Sequence, residues 1–242
     1  MKTRADLLLV ARGFCESRAK ARAAIEAGGV TAGGRPVARP SDLLANDAAL
    51  VVTPAHPWVG RGALKLEHAL VTWPIQVEGR VVLDVGASTG GFTEVCLAAG
   101  AARVYAVDVG RGQLHASLTG DPRVVILEGV DARNLTATEV PESPQLVVCD
   151  VSFIGLAKAL PAALALAAQG ADLVALVKPQ FEVGPERVGK GGLVRDAAAR
   201  ATALADVKAF LEAVGWAIVG QTDSPIEGGD GNREYLLWAT KA

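Results

Sequence analysis

The chain has few of the residues that cross-link a protein or anchor it in a membrane. Its three cysteines, Cys15, Cys96 and Cys149, are widely spaced, and no Cys-x-x-Cys pair occurs. Neither a zinc site nor a disulfide framework is therefore predicted, and a reducing cytoplasm is the expected compartment. Long apolar runs are also lacking: residues 7–10 are too few for a signal segment, and residues 159–177 are interrupted by Pro, Gly and polar residues. No membrane span is expected.

The chain is rich in apolar residues, and its charge is unevenly distributed. Half of the 242 residues are hydrophobic, which suffices for a large core, and the formal net charge is −2. Residues 1–60 hold eight Lys and Arg against five Asp and Glu, whereas residues 61–242 hold sixteen against twenty-one. A basic front segment before an acidic body favours an anionic partner for the front segment.

Residues 1–57 are expected to form a small α+β domain that ends in a linker containing two prolines. Predicted helices cover 5–11 and 18–27, and predicted small strands cover 30–31 and 49–53. Ser17 precedes the second helix as its N-cap. Arg18 and Arg22 are four residues apart, so the second helix is expected to present both on one face.

From residue 58 onward, apolar segments alternate with helical patterns. Strands are predicted over 80–84, 103–108, 123–127, 145–150, 172–177, 216–222 and 234–239. Helices are predicted over 61–70, 90–99, 111–118, 156–168 and 196–214. The alternation predicts a Rossmann-like α/β domain over 58–242, with a mostly parallel seven-stranded sheet covered by helices on both faces. Ligands of such folds bind beyond the carboxyl ends of the strands, where we expect Asp84, Asp108, Asp150 and Lys178.

A loop of small residues joins the first of these strands to a helix. Residues 83–92 read Leu-Asp-Val-Gly-Ala-Ser-Thr-Gly-Gly-Phe. The Gly-x-x-x-Gly-Gly spacing differs from the Gly-x-Gly-x-x-Gly of dinucleotide binders and from the phosphate-binding P-loop. Asp84, just before the first glycine, suits a cationic ligand with hydroxyl groups, which favours S-adenosylmethionine. A plain glycine-rich turn in an α/β core is the alternative.

Two further acids fit an adenosine pocket. Asp108 ends a predicted strand 22 residues after Gly86, a distance at which an acid can bind both ribose hydroxyls of an adenosine. A helix cap is the alternative role for Asp108. Asp131 follows the next strand and is the candidate contact for the adenine edge.

Lys178 closes a predicted buried strand, an uncommon place for lysine because burial of its charge is costly. A second cation nearby, for which Lys65 is the candidate, would favour the neutral amine and make Lys178 a usable general base. A solvent-exposed rim position is the alternative for both lysines. Asp150 does not begin the Asn/Asp-Pro-Pro-aromatic motif of amino-methyltransferases, and Cys149 is expected to be a buried, inert thiol.

Short motifs spread over the whole chain carry a family resemblance. They lie at 6–10, 17–18, 61–66, 86–93, 108–110, 112–114, 121–124, 177–184, 224–226, 231–232 and 234. In these motifs the chain resembles the TlyA family of ribosomal RNA 2′-O-ribose methyltransferases, whose members are often labelled hemolysins. The resemblance implies an S4-type RNA-binding domain over 1–57 and an FtsJ-like methyltransferase domain over 58–242.

The resemblance also implies the chemistry. It assigns a Lys-Asp-Lys-Glu catalytic tetrad to Lys65, Asp150, Lys178 and Glu234, and Glu234 enters by the resemblance alone. Lys178 would take the proton of a ribose 2′-hydroxyl, Asp150 would orient it, and the other two would position the hydroxyl. Alignment of two bound substrates would supply most of the rate, and no metal is required.

The expected binding residues form two sets. S-adenosylmethionine contacts are expected at Asp84, Gly86, Ala87, Ser88, Thr89, Gly90, Gly91, Phe92, Asp108, Val109, Asp131, Ala132 and Asp150. RNA contacts are expected at Arg4, Arg12, Ser17, Arg18, Lys20 and Arg22, with an affinity that falls as salt rises. The expected partner is structured ribosomal RNA within a subunit, bound by a monomer in the cytoplasm.

Some positions depart from the family pattern. Gly60 replaces a serine, Arg111 an aromatic residue, Asp131 an asparagine, and the pair 33–34 is Gly-Gly where Asn-Gly is common. These departures leave the tetrad intact and concern contacts to adenosine and RNA. Because the segment after the last predicted strand is short, the resemblance implies a cytidine of the large-subunit RNA as the target. An RNA-binding assembly factor with a vestigial cofactor pocket is the alternative, and a lytic hemolysin is disfavoured because no basic amphipathic helix is evident.

Overall fold

The computed structural model of the protein describes residues 1–228 and 230–242, which divide into two units, Met1–Pro57 and Trp58–Ala242. The elements of the first unit are β1 (Lys2–Arg4), α1 (Ala5–Ala11), α2 (Arg18–Glu26), β2 (Val30–Ala32), β3 (Arg35–Pro36), β4 (Leu43–Ala45) and β5 (Leu50–Val52). Strands β3, β2 and β5 form one small sheet, and β1 pairs with β4. Both helices were predicted, whereas β1, β3 and β4 were not, because segments this short carry no periodicity.

Apolar side chains of α1, α2 and β2 fill the core of the first unit. Leu9, Ile25 and Val30 are fully or almost fully buried within it. Ser17 caps α2 as predicted: its side chain accepts a hydrogen bond of 3.2 Å from the backbone N–H of Lys20.

The second unit contains a seven-stranded sheet and its covering helices. The strands are β6 (Val81–Val85), β7 (Arg103–Asp108), β8 (Val124–Glu128), β9 (Leu146–Cys149), β10 (Asp172–Val177), β11 (Trp216–Asp223) and β12 (Tyr235–Lys241). The helices are α3 (Ala63–Thr72), α4 (Gly91–Ala98), α5 (Ala116–Thr119), α6 (Leu156–Ala159), α7 (Pro161–Leu166), α8 (Pro179–Glu182) and α9 (Ala197–Ala213). Three short 3-10 turns lie at Ala132–Asn134, Pro185–Arg187 and Lys190–Gly192.

The sheet has the order β11-β12-β10-β9-β6-β7-β8. The five strands from β10 to β8 are parallel, and β12 and β11 are antiparallel additions at one edge. The predicted mostly parallel, Rossmann-like α/β fold is confirmed. The carboxyl ends of five strands therefore lie along one edge of the sheet, where such folds bind their ligands.

Side chains alternate between the two faces of the sheet, as strand geometry requires. Leu83 and Val147 pack with α6, α7 and α9 on one face, whereas Val82 and Val148 pack with α3 and α4 on the other. Both faces are buried, which explains the continuous apolar runs in the sequence.

Two helix predictions were wrong. Residues 111–118 form a loop and only the short helix α5, because the Glu128 carboxylate accepts the backbone N–H groups of Gly112, Gln113 and Leu114 at 2.6–3.0 Å. The predicted helix over 156–168 is divided into α6 and α7 by Pro161, which occupies the first turn of α7. No helix among residues 1–228 and 230–242 is long and apolar enough to cross a lipid bilayer.

Candidate active site

Four charged side chains meet at the carboxyl edge of the parallel strands. Asp150 follows β9, Lys178 follows β10, and Lys65 extends from the buried side of α3. Glu234 directly precedes β12, and because β12 runs antiparallel to β10, its beginning lies at this same edge. The fold thus gathers residues that are far apart in the chain.

The four side chains form one connected network. Lys65 Nζ donates a hydrogen bond of 2.6 Å to Glu234 Oε2 and lies 3.9 Å from Asp150 Oδ2. Lys178 Nζ lies 2.6 Å from Asp150 Oδ1. Asp150 therefore contacts both lysines, one through each carboxylate oxygen.

Three members of the network are buried, Asp150 is partly exposed, and the formal charges balance. Lys65, Lys178 and Glu234 are 6%, 8% and 4% exposed. Two ammonium groups face two carboxylates, so each buried charge has a partner of opposite sign. The exposed-rim alternative for the two lysines is wrong.

A turn after β9 supplies a further polar contact. Lys178 Nζ donates a hydrogen bond of 2.8 Å to Ser152 Oγ. The next residue, Phe153, has φ +67°, a left-handed conformation that is rare for a residue other than glycine. Its ring is 91% exposed and lies 5.2 Å from the ring of Phe181. Ser152 and Phe153 were not among the predicted site residues, because neither closes a strand.

A cleft of about 830 Å³ opens beside the network, within the size range of small-molecule sites. Of the predicted cofactor residues, the cleft is lined by Gly86, Ser88, Asp108, Val109, Asp131, Ala132 and Asp150. The predicted residues Asp84, Ala87, Thr89, Gly90, Gly91 and Phe92 lie outside its lining. Arg133, Ser152, Lys158 and Phe181 also line it, and no strand-end rule would have found them.

Asp108 holds two loops at the wall of the cleft. Its Oδ2 accepts the backbone N–H of Ser88 at 2.8 Å, and its Oδ1 accepts that of Gly110 at 2.7 Å. The first contact fixes the glycine loop at Ser88, which has φ +47°. Each carboxylate oxygen keeps a second lone pair for a ligand hydroxyl.

Asp84 lies inside β6, one residue before its end, rather than at the edge of the sheet. It is fully buried and accepts a hydrogen bond of 2.7 Å from Thr93 Oγ1, while its Oδ1 has no hydrogen-bond partner among the described residues. Burial, with a smaller contribution from the Asp150 charge, raises the pKa of Asp84 from 3.8 to about 7. The raised pKa keeps this carboxyl mostly protonated below neutral pH.

Asp131 forms an ion pair with Arg133. Its carboxylate accepts hydrogen bonds from the Arg133 guanidinium at distances down to 2.5 Å and from the Arg133 backbone N–H. These bonds lower the pKa of Asp131. Asp131 and Arg133 therefore act at the cleft as a pair.

The predicted RNA contacts of the first unit divide into two groups. Arg4 and Arg18 both bond the carboxylate of Asp6, which is fully buried, and their guanidinium groups hold the pKa of Asp6 well below its usual range. The remaining side chains make other contacts: Arg12 donates to the Ala48 carbonyl, Lys20 pairs with Glu16, Arg22 pairs with Glu26, and Ser17 caps α2. Arg4 and Arg18 are thus the pair whose orientation is fixed by a buried group.

The chemistry of the cleft fits an adenosine cofactor with a positively charged sulfur. Val107, Val109 and Val130 give an apolar wall for a flat base, and Asp108 keeps acceptor sites for ribose hydroxyls. Asp150 brings negative charge to the part of the cleft beside the two lysines. The lining holds three carboxylates, those of Asp108, Asp131 and Asp150, against the two cationic side chains of Arg133 and Lys158. This balance suits a cationic nucleoside better than a phosphorylated one.

Comparison with protein families gives two matches. Residues 58–241 match the FtsJ-like methyltransferase family, and residues 3–46 match the S4 domain. The methyltransferase match covers most of the second unit, and the S4 match lies within the first unit.

Similar proteins extend over nearly the whole chain. The chain is 49% identical over 239 residues to the Mycobacterium tuberculosis 16S/23S rRNA (cytidine-2′-O)-methyltransferase TlyA, covering 98% of this chain and 89% of that relative. It is 35% identical to the Campylobacter jejuni 23S rRNA (cytidine-2′-O)-methyltransferase TlyA, covering 84% of this chain and 78% of that relative. A solved structure of a hemolysin-named protein from Streptococcus thermophilus has 39% identity and a TM-score of 0.79, covering all of this chain and 89% of that one.

Proposed function

The chain belongs to the TlyA family of ribosomal RNA methyltransferases, and on that premise we propose that it methylates the 2′-hydroxyl of a cytidine ribose in ribosomal RNA. S-adenosylmethionine is the proposed methyl donor. The observation that supports this function most strongly is the buried network of Lys65, Asp150, Lys178 and Glu234 beside the cleft. Binding of RNA alone does not require two lysines that are buried in an ion-paired network beside a cleft.

Different residues of the cleft would bind different parts of the donor. Asp108 would bind the ribose hydroxyls, while Val107, Val109 and Val130 would pack on the adenine. Gly86, at φ +85°, brings backbone close to the ligand, and Asp150 would face its cationic end. When bound, S-adenosylmethionine supplies a methyl group on a positively charged sulfur, and the ribose oxygen accepts this methyl group.

Lys178 is the proposed general base. As a neutral amine, it takes the proton of the ribose hydroxyl, so the oxygen gains the electron density that the new bond needs. Neutral Lys178 leaves two carboxylates against one ammonium in the network, and the positive donor offsets this excess charge. Asp150 holds the Lys178 amine at 2.6 Å, and the pair of Lys65 and Glu234 positions the acceptor hydroxyl. Alignment of the two substrates supplies most of the rate.

The first unit is the proposed RNA-binding part. Arg4 and Arg18, held by Asp6, would contact phosphates, and the match to the S4 domain covers both. Since the names of both relatives include 23S ribosomal RNA, and only one includes 16S, we propose the large-subunit RNA as the target. We propose that the reaction takes place in the cytoplasm, where ribosomal subunits assemble.

Transfer of radiolabelled methyl groups to purified ribosomal subunits, followed by nucleotide mapping, tests this function. Label is expected on one cytidine ribose of the large subunit, and Lys178→Ala should abolish it while binding of S-adenosylhomocysteine persists. Lys208→Ala, whose amine contacts Gln221 on the surface, is the matched control and should keep full activity. If neither subunit is labelled, the assembly-factor function is favoured. Lysis of red cells by the pure protein would favour the hemolysin function.

A further inference from the structure

The amine of Lys178 is held from two sides by residues of one turn. Its Nζ lies 2.6 Å from Asp150 Oδ1 and donates a hydrogen bond of 2.8 Å to Ser152 Oγ. Asp150 and Ser152 are two residues apart in the segment after β9, and both line the cleft. Lys178 itself directly follows β10 and is 8% exposed.

Two contacts restrict a lysine amine more than one does. A charge–charge contact alone leaves the ammonium group free to rotate about its Cε–Nζ bond, because no N–H bond has to point at the partner. The contact with Asp150 Oδ1 is of this kind, since that oxygen has no hydrogen-bond partner among the described residues, whereas the hydrogen bond to Ser152 Oγ gives one N–H a fixed direction. On deprotonation, the lone pair is repelled by the Asp150 carboxylate and takes the position on nitrogen that faces neither group. Asp150 alone does not define this direction, whereas Asp150 and Ser152 together do.

The backbone of the turn supports a specific placement of Ser152. Phe153, the next residue, has φ +67°, a conformation that costs free energy for an aromatic residue. Its ring is 91% exposed, so burial of the ring in the core does not account for the conformation. Strained backbone of this kind is concentrated at functional sites, where the surrounding structure holds a side chain in place. Here the strained residue follows the serine that contacts Lys178.

We infer that Ser152 is a positioning residue, whose hydroxyl fixes the direction in which the Lys178 amine accepts the proton. This inference rests on the proposed role of Lys178 as general base. It assigns Ser152 to the proton-transfer step and not to binding of the donor. Loss of the hydroxyl should therefore lower kcat and leave the KM for S-adenosylmethionine nearly unchanged.

The kinetic test compares Ser152→Ala with Ser152→Thr. Loss of one hydrogen bond to a charged group should reduce kcat by about 10- to 100-fold in the alanine variant, with KM within about twofold. The threonine variant keeps a hydroxyl and should recover most of the rate. Ser117→Ala, an exposed serine beside His115, is the matched control. An unchanged kcat in Ser152→Ala, a change confined to KM, or an equal loss in Ser152→Thr would each overturn the inference.

A second measurement does not depend on activity. In protein labelled with ¹⁵N-lysine, the Lys178 ammonium signal is identified by its absence in Lys178→Ala. Ser152→Ala should shift this signal and accelerate its hydrogen exchange, whereas Ser117→Ala should leave it unchanged. An unaltered signal in Ser152→Ala would refute the contact. If the unmodified protein transfers no methyl group, the proposed function fails, while this spectrum still decides whether Ser152 orients the amine.

Discussion

Lys65 and Glu234 lie 169 positions apart in the chain, and their side chains meet in a buried ion pair with 2.6 Å between Nζ and Oε2. The pair joins α3, at the beginning of the second unit, to the residue before β12, near its end. Both side chains are almost completely removed from solvent. Each charge therefore depends on the other for compensation.

Removal of one member of this pair should destabilise the second unit. Glu234→Gln leaves the Lys65 ammonium buried with Asp150 Oδ2 at 3.9 Å as its nearest carboxylate, so we expect the free energy of unfolding to fall by about 3 kcal/mol. Urea denaturation measures this change. The double variant Lys65→Met with Glu234→Leu removes both charges and should unfold at higher urea than either single variant. Strictly additive losses in the double variant would contradict the prediction.

Gly86→Ala should weaken cofactor binding. Gly86 has φ +85°, and an added Cβ would lie 2.8 Å from the backbone oxygen of Asp150. Gly170→Ala is the matched control, because Gly170 has φ +71° and an added Cβ meets nothing within 4 Å. Gly170→Ala should lose about 1 kcal/mol of stability, and Gly86→Ala should lose more, because its Cβ would meet backbone. Gly86→Ala alone should weaken binding of S-adenosylhomocysteine by more than about tenfold in calorimetry. Equal affinities in the two variants would refute a binding role for the loop.

Asp84 should make the stability of the cofactor-free protein depend on pH. Its pKa is raised from 3.8 to about 7 in the folded protein, so between these values the unfolded chain has released a proton that the folded chain retains. Stability should therefore decline as the pH rises from about 4 to about 7. Asp84→Asn keeps an acceptor for Thr93 without the titration, and its urea midpoint should fall less between pH 5 and pH 8 than that of the unmodified protein. Parallel declines in the two proteins would show that Asp84 ionises freely in the fold.

Asp6→Asn should weaken both the first unit and its binding of RNA. The substitution removes a buried carboxylate that holds Arg4 and Arg18, at a cost of about 2 kcal/mol. Because the pKa of Asp6 is lowered, its contribution to stability is present above pH about 4 and lost as the pH falls further. Filter binding of ribosomal RNA fragments over a range of salt should show a lower affinity than in Asp47→Asn, a change at an exposed acid. Equal affinities would show that the two arginines do not need Asp6 for RNA binding.

The sequence predicts this site where a side chain follows a parallel strand. Asp108, Asp150 and Lys178 are found by that rule, because apolar runs mark the ends of the strands. Glu234 escapes the rule because it precedes an antiparallel strand, and only the family resemblance identified it. The direction of β12 is a property of the sheet and not of residues 234–239, so no local pattern reveals it.

Other departures also have non-local causes. Residues 111–115 stay out of helix because of Glu128, which lies on the next strand. Asp84 reads as a strand end, yet one more strand residue places its carboxyl inside the core. Ser152 is the third residue after β9, and it is followed by a left-handed turn at Phe153 that the aromatic residue type does not predict.

The place of β12 in the sheet sets a condition on synthesis of the protein. β12 follows β11 in the chain, yet it lies between β10 and β11 in the sheet and begins directly after Glu234. A nascent chain that still holds this strand in the ribosomal exit tunnel has neither the partner of Lys65 nor a covered edge on β10. Catalytic competence therefore requires that β12 has left the tunnel, and an enzyme that modifies ribosomes stays inactive while the ribosome that makes it still holds this strand.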